Sequence, residues 1–318
     1  MALRLESKGQ AVRSVQEMLI KLGFRVKVTE NGITSYQALE PDGYFGPKTE
    51  SAVIDFQQSE GLLRDGVVGP GTMKALEEAY TIRVLELNSP GVDATDGMPD
   101  RFVFERVKAD PYGEGYDRLS LRNDVASEYN EIYGQVHQQG GILTSSGGIR
   151  GLKTKVNASR SVTSFHYLGR ALDLYIFSGM VDPESDPYVI AREKERAYRI
   201  YARCSLDNNS QAELPDEQII ENVITYEDRK EGVEVRGSFL DLTELFNEHG
   251  FKPIHARRKF EEGGSMMGAE WWHFQYVDGL VEYSSTFGSE LLKVYSEKTL
   301  EGTAPWNNKE RIFGVNWG

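Results

Sequence analysis

The sequence predicts an α+β protein in two unequal parts, a small three-helix module followed by a larger domain with a mainly antiparallel sheet and flanking helices. Three observations carry this. A turn motif is doubled within the first ~80 of the 318 residues. A single amphipathic run, "LRNDVASEYNEIYGQVHQQ" (Leu121–Gln139), reads as a helix. Four runs beyond it, "GGILTSSGG", "ALDLYIF", "AYRIYARC" and "WWHFQYV", have strand character, and strands mixed with helices in this way favour an α+β layout.

The first element is "SKGQAVRSVQEMLIKLGF", where Val12, Val15, Leu19 and Leu22 share a helical face and Gly23 supplies the stop. Then "DGYFGPKTESAV" (Asp42–Val53) recurs as "DGVVGPGTMKAL" (Asp65–Leu76), 23 residues on. Both copies read D-G-x-x-G-P-x-T-x-x-A-apolar. Asp-Gly makes a turn, and proline opens the helix that follows. Ala52, Val53, Phe56 and Leu62 continue the amphipathic spacing. "TIRVLELNSPGVDATDGMPDRF" (Thr81–Phe102) begins like a strand and turns loop-like at Ser89, Pro90 and Gly91. The expected division is therefore a helical module over 1–80, a linker over 81–97 and a second domain over 98–318.

Composition narrows the function. The formal charge of −13, with nothing in the sequence that forms a basic face, argues against nucleic acid. Residues 1–80 hold nine basic and eleven acidic side chains, so the acidity lies mostly beyond them. No apolar run approaches the ~20 residues of a membrane span. One cysteine, Cys204, excludes an intrachain disulfide and a thiolate metal cage; it reads as a small buried hydrophobe. The start, "MALRLESKGQAV", lacks the apolar core of a general secretory signal. Either the protein stays inside, or it leaves by another route, or a leader is missing from this sequence. We expect a monomer.

The chemistry concentrates in two stretches, "SFHYLGRALDLYIF" (Ser164–Phe177) and "EWWHFQY" (Glu270–Tyr276). As a period-2 strand, "ALDLYIF" sends Leu172, Leu174 and Ile176 to one face and Asp173 with Tyr175 to the other. Likewise His273 and Gln275 lie opposite Trp272, Phe274 and Tyr276. For His166 and Asp173 to share an ion, the chain must fold back between them. A straight strand would hold their Cα atoms roughly 23 Å apart and a straight helix about 10 Å. Gly169 is the expected bend. Two histidines and one carboxylate make a catalytic-type zinc set with a position left for water. Glu270 is the candidate general base. In a regular strand, residues 270 and 273 face opposite ways, so Glu270 must lie in a turn or bulge ahead of the strand.

These motifs carry two resemblances. The doubled DG-x-x-GP module, Ser7 to about Tyr80, resembles the peptidoglycan-binding module of many cell-wall hydrolases, apart from the longer link "RVKVTENGITSYQALE" (Arg25–Glu40). S-x-H-x-x-G-x-A-x-D followed by E-x-W-H is similar to the zinc peptidases of peptidoglycan stem peptides. These are the D-alanyl-D-alanine carboxypeptidases and L-alanyl-D-glutamate endopeptidases, which share a hedgehog-like zinc fold. That resemblance implies Zn²⁺ on His166, Asp173 and His273, with Glu270 as base. It also implies an upstream arginine that holds a substrate carbonyl or carboxylate. Arg150 in "SSGGIRG" takes that place, with Ile149 where an aromatic is usual and Arg160 as rival. The 96 residues between Asp173 and Glu270 include segments outside the pattern.

Together the halves imply a wall-targeted, endolysin-like zinc peptidase acting on peptidoglycan, released in the manner of phage enzymes or delivered by a route other than the general secretory one. The alternative is a non-catalytic peptidoglycan-binding protein with a structural zinc site. Of the remaining histidines, His249 reads as a helix C-terminal residue, His137 as solvated at a helix end, and His255 as near the site or away from it but not touching the metal. Trp271 and Trp272 read as core or cleft-wall aromatics. "AREKERAYR" reads as a charged helix face or helix-to-strand junction, and the tail "PWNNKERIFGVNWG" as packing back on the domain.

Overall fold

A computed structural model describes residues 2–30, 33–88, 102–156 and 161–314. The chain forms two compact units, one of residues 1–89 with 153–161, the other of residues 90–152 with 162–318. Arg160 and most of the expected linker lie outside the described residues.

The first unit is built on α1 (Gln10–Lys21), α2 (Pro47–Glu60) and α3 (Pro70–Asn88), with a hairpin of β1 (Arg25–Glu30) and β2 (Ile33–Ala38) inserted after α1. Val12, Val15 and Leu19 from α1 meet Ala52, Val53 and Phe56 from α2, together with Phe45, Val68 and Leu76. The two DG turns are held alike, each by a buried glutamine of the preceding helix. Gln16 donates to Asp42 (2.8 Å), the Tyr44 carbonyl (3.0 Å) and Thr49 (3.1 Å), and accepts from the Gly43 amide (2.9 Å). Gln57 repeats this with Asp65 (2.8 Å), the Val67 carbonyl (3.0 Å), Thr72 (3.2 Å) and the Gly66 amide (2.9 Å). Each amide thus satisfies donors and acceptors that burial would otherwise leave unpaired.

Two expectations change here. The long link is an antiparallel hairpin of β1 and β2. The run from Thr81 is not a strand: α3 continues to Asn88, because no glycine or proline interrupts it between Gly71 and Pro90.

The second unit opens with β3 (Phe104–Lys108) paired antiparallel to β4 (Arg118–Arg122), then α4 (Asn123–Gln138). Val125, Ala126, Tyr129, Ile132 and Val136 form its buried stripe. After a 3₁₀ turn (Phe165–Leu168) comes β5 (Ala171–Asp173). Then β6 (Tyr188–Lys194), β7 (Ala197–Arg203), β8 (Glu217–Val223) and β9 (Val233–Asp241) close on themselves in antiparallel pairs. The chain continues through α5 (Leu242–Glu248), β10 (Phe251–Pro253) and β11 (His273–Tyr276). It ends with α6 (Phe287–Leu292), α7 (Glu297–Leu300) and α8 (Lys309–Gly314). The small sheet β10-β11-β5 carries both Asp173 and His273.

Several runs differ from their reading in the sequence. "AREKERAYR" is the β6–β7 hairpin, its turn at Glu195-Arg196, with Arg196 at φ 61°. "GGILTSSGG" forms no strand; the Gly147–Asp173 bridge is its contact with β5. β5 stops at Asp173, and Tyr175 is buried, because the chain beyond the strand is bonded through Leu174 N to the Trp272 carbonyl and through Tyr175 N to the Thr144 hydroxyl. His137 is not simply solvated, since Asp110 takes its Nε2 at 2.9 Å. His249 caps α5 and reaches Glu128 and Gln135 of α4, each at 2.9 Å. Cys204 is buried, which pushes its thiol up to about 11. Trp306 and Ile312 of the tail join the core around Phe287, Leu291 and Phe104, while Trp317 lies outside the described residues.

Candidate metal centre

The bend expected at Gly169 is present. The 3₁₀ turn that carries His166 ends at Gly169 with φ 64°, and β5 begins two residues later. A Cβ at Gly169 would lie 2.5 Å from the Phe104 ring and 2.7 Å from the Arg122 amide, so both conformation and space demand glycine. The turn returns His166 to Asp173 at the end of β5. Antiparallel pairing of β11 with β5 places His273 directly opposite Asp173. Strand register thus brings together residues 100 apart in the chain.

One candidate donor atom from each of His166, Asp173 and His273 lies within 4.8 Å of the others. His166 Nε2 is 3.3 Å from Asp173 Oδ2, and His273 Nδ1 is 2.9 Å from Asp173 Oδ1. Both histidines are buried, and the Asp173 side chain is 24% exposed, which leaves the cluster open on the carboxylate side. Burial pushes the Asp173 carboxyl up, but the two imidazoles outweigh it and hold the group well below the usual carboxylate range.

The donor set fits zinc. His166 Nδ1 lies 2.5 Å from the Gly148 carbonyl, an acceptor only, so Nδ1 carries a proton and Nε2 is the ring nitrogen left to serve as a metal ligand. Gly148 belongs to the segment leading to Arg150. That segment is pinned by Ser146 N to the Asp173 carbonyl (2.7 Å), Asp173 N to the Gly147 carbonyl (2.8 Å) and Arg150 N to the His166 carbonyl (3.0 Å). Arg150 thereby sits on the backbone of a candidate ligand, with its guanidinium 5.7 Å from the Tyr167 ring centre.

Glu270 lies outside β11, in the turn before it. Its φ is 52°, and its carbonyl accepts from the His273 amide at 3.1 Å. That left-handed residue removes the facing problem of a continuous strand. Its carboxylate, 15% exposed, takes Arg257 Nε at 2.7 Å. The sequence pattern pointed to neither Arg257 nor the Gly148 carbonyl. Arg257 lies in "FKPIHARRKF", 13 residues from its partner, where nothing in the pattern singles it out. His255, two residues before it, is exposed and is not one of the clustered donors.

Residues 8–76 match the family described as a putative peptidoglycan binding domain. The zinc D-Ala-D-Ala carboxypeptidase of Streptomyces albus G is 27% identical over 172 residues, 53% of this chain and 58% of that protein. The N-acetylmuramoyl-L-alanine amidase CwlL of Bacillus licheniformis is 42% identical over 72 residues, 22% of this chain and 18% of that protein. A crystal structure from Clostridium acetobutylicum, of a fused Zn-dependent amidase/peptidase/peptidoglycan-binding domain-containing protein, is 19% identical. It covers 64% of this chain and 55% of its own, with a TM-score of 0.20. The chain spans less than two thirds of the length of each of these relatives. Residues 8–76 thus match a putative peptidoglycan-binding family, and over about half its length the chain is similar to a zinc D-Ala-D-Ala carboxypeptidase.

Proposed function

We propose that the protein is a zinc-dependent peptidoglycan peptidase. It would cut a peptide bond of the stem peptide, of the D-Ala-D-Ala carboxypeptidase or L-Ala-D-Glu endopeptidase type, and be held on the wall by its N-terminal domain. The observation that carries this reading is the convergence of His166, Asp173 and His273 on one point, with an acid held in the adjoining turn. In this reading His166 Nε2, Asp173 and His273 Nδ1 hold zinc, which supplies Lewis-acid stabilisation of the charge developing on the scissile carbonyl. Glu270 takes the proton of the attacking water and passes it to the leaving amine. Arg150 binds a carbonyl or carboxylate of the stem peptide. Burial of the two histidines lowers the local dielectric, so each of these charge interactions is stronger than it would be in water.

The test is digestion of purified sacculi with and without a chelator, followed by mass spectrometry of the released muropeptides. His166→Ala and Asp173→Ala should each lose stoichiometric zinc and all hydrolysis, because two ligands hold the ion poorly. Zinc at full occupancy in both variants would sink the assignment. The masses identify the bond that is cut.

A further inference from the structure

The doubled turn of the first unit is symmetric in its supports but not in what it presents to solvent. Superposing the copies by their roles equates Gln16 with Gln57, Asp42 with Asp65 and Gly43 with Gly66. On the same register Tyr44 corresponds to Val67, and Arg13 to Ile54. The local packing agrees: a Cβ built on Gly43 would lie 3.8 Å from Arg13 Cβ, and one on Gly66 would lie 3.4 Å from Ile54 Cγ1. The second copy therefore shows two aliphatic side chains where the first shows an aromatic ring and a cation.

At the first copy there is an open groove of about 610 Å³, lined by Lys8, Gln10, Arg13, Asp42 and Tyr44 among others. Tyr44 is 41% exposed, although its backbone is fixed by the same hydrogen bonds that fix Val67. The Lys8 ammonium lies 5.2 Å from the Tyr44 ring centre. Arg13 is paired with Glu17 at 3.1 Å, but both side chains are half exposed, so that pair is weak and exchangeable. A half-exposed ring on a fixed backbone, with Lys8 beside it and Arg13 in the same groove, on a chain of net charge −13, suits a ligand with an apolar face and a negative charge.

We propose that this groove, on the first copy of the turn alone, is the peptidoglycan subsite of the module. A sugar ring would lie on Tyr44, with a carboxylate of the attached stem peptide held by Lys8 and Arg13. The second copy would serve as scaffold. The proposal rests on the wall-binding reading of the domain and assigns the residues that perform it.

The experiment measures retention of the full chain on purified sacculi, in brief incubations on ice, with competition by a soluble disaccharide-peptide or by chitotetraose. Chitotetraose offers sugar faces without carboxylates. Tyr44→Ala should weaken retention about tenfold or more, the size of a lost aromatic anchor, while Tyr44→Phe keeps it. Lys8→Gln with Arg13→Gln should weaken retention and flatten its salt dependence. Val67→Ala should bind like the parent, and the disaccharide-peptide should compete better than chitotetraose. Far-ultraviolet circular dichroism and melting temperatures confirm that each variant is folded. If the parent binds but Tyr44→Ala binds equally well, or if Val67→Ala loses as much, the assignment to the first copy is overturned. Equal competition by chitotetraose overturns the carboxylate contact. A parent chain with no retention at all overturns the wall-binding reading, and this subsite with it.

Discussion

Glu270 combines two costly features, a left-handed backbone on a residue with a Cβ and a poorly exposed carboxylate tied to Arg257. Such a conformation persists only where its surroundings impose it, and such positions gather at functional sites. Here the His273 amide, bonded back to the Glu270 carbonyl, ties the acid's backbone to that of a candidate metal ligand. Glu270→Gln keeps the shape and an oxygen for Arg257 but cannot take a proton. That variant should bind zinc stoichiometrically, melt near the parent temperature and still bind sacculi, yet hydrolyse them at least ~100-fold more slowly. Unchanged turnover would assign proton transfer to another group. Zinc-loaded parent protein inert on every muropeptide would favour the non-catalytic alternative. The clustering of His166, Asp173 and His273 was legible, because their types, the Gly169 bend and the face of His273 in its strand are local patterns. Arg257 and Gly148 were not legible: they meet the site through loops whose course no periodicity records.

The elements that present the site are short, and buried charge fastens them. β5 has three residues and β11 four, too few ladder bonds to fix a strand pair by themselves. Arg170, just ahead of β5, donates through Nε to the Tyr276 carbonyl at the end of β11 (3.1 Å) and through a terminal nitrogen to the Asp278 carbonyl. Its other terminal nitrogen is 3.1 Å from Glu290 of α6, which also takes Arg122 of β4 at 3.0 Å and Lys293 at 2.6 Å. Burial pushes the Glu290 carboxyl up, but Lys293 and the two arginines outweigh it and keep it ionised. Removing the shared anion leaves the buried Arg170 guanidinium without its carboxylate partner, while Arg122 keeps Asp124 at 2.7 Å. Glu290→Gln should therefore cost about 3 kcal/mol, lowering the melting temperature of the second unit by roughly 6–12 °C. A shift within ~1 °C of zero would show that the cluster contributes little. None of this was readable from the sequence, since the partners are 168 and 120 residues apart and each looks like an ordinary surface charge. The long amphipathic helices, by contrast, were read from spacing alone. Thr81–Asn88 was misread because β-branched residues suggest a strand, while continuity with the preceding turns of α3 decides for helix.

At the scale of the whole molecule, the chain joins a domain of a peptidoglycan-binding family to a unit bearing the candidate metal centre. If the first holds the wall and the second cuts it, the benefit lies in effective concentration: each bound chain meets substrate as an intramolecular partner. That benefit exists only on an insoluble wall, which makes the division of labour measurable. A fragment from Met98 to Gly318 should cleave soluble disaccharide-peptides at the parent rate. On intact sacculi at low enzyme concentration it should lose on the order of 10² in rate, the scale on which a tethered second site raises avidity. A 1–88 fragment should be retained on sacculi and cleave nothing. The two substrates together separate the possible failures. Equal loss on both would mean that the second unit needs the first in order to form its site. Equal rates on both would mean that the N-terminal domain does not target this chain to the wall, whatever its family. The expected pattern is loss on sacculi alone.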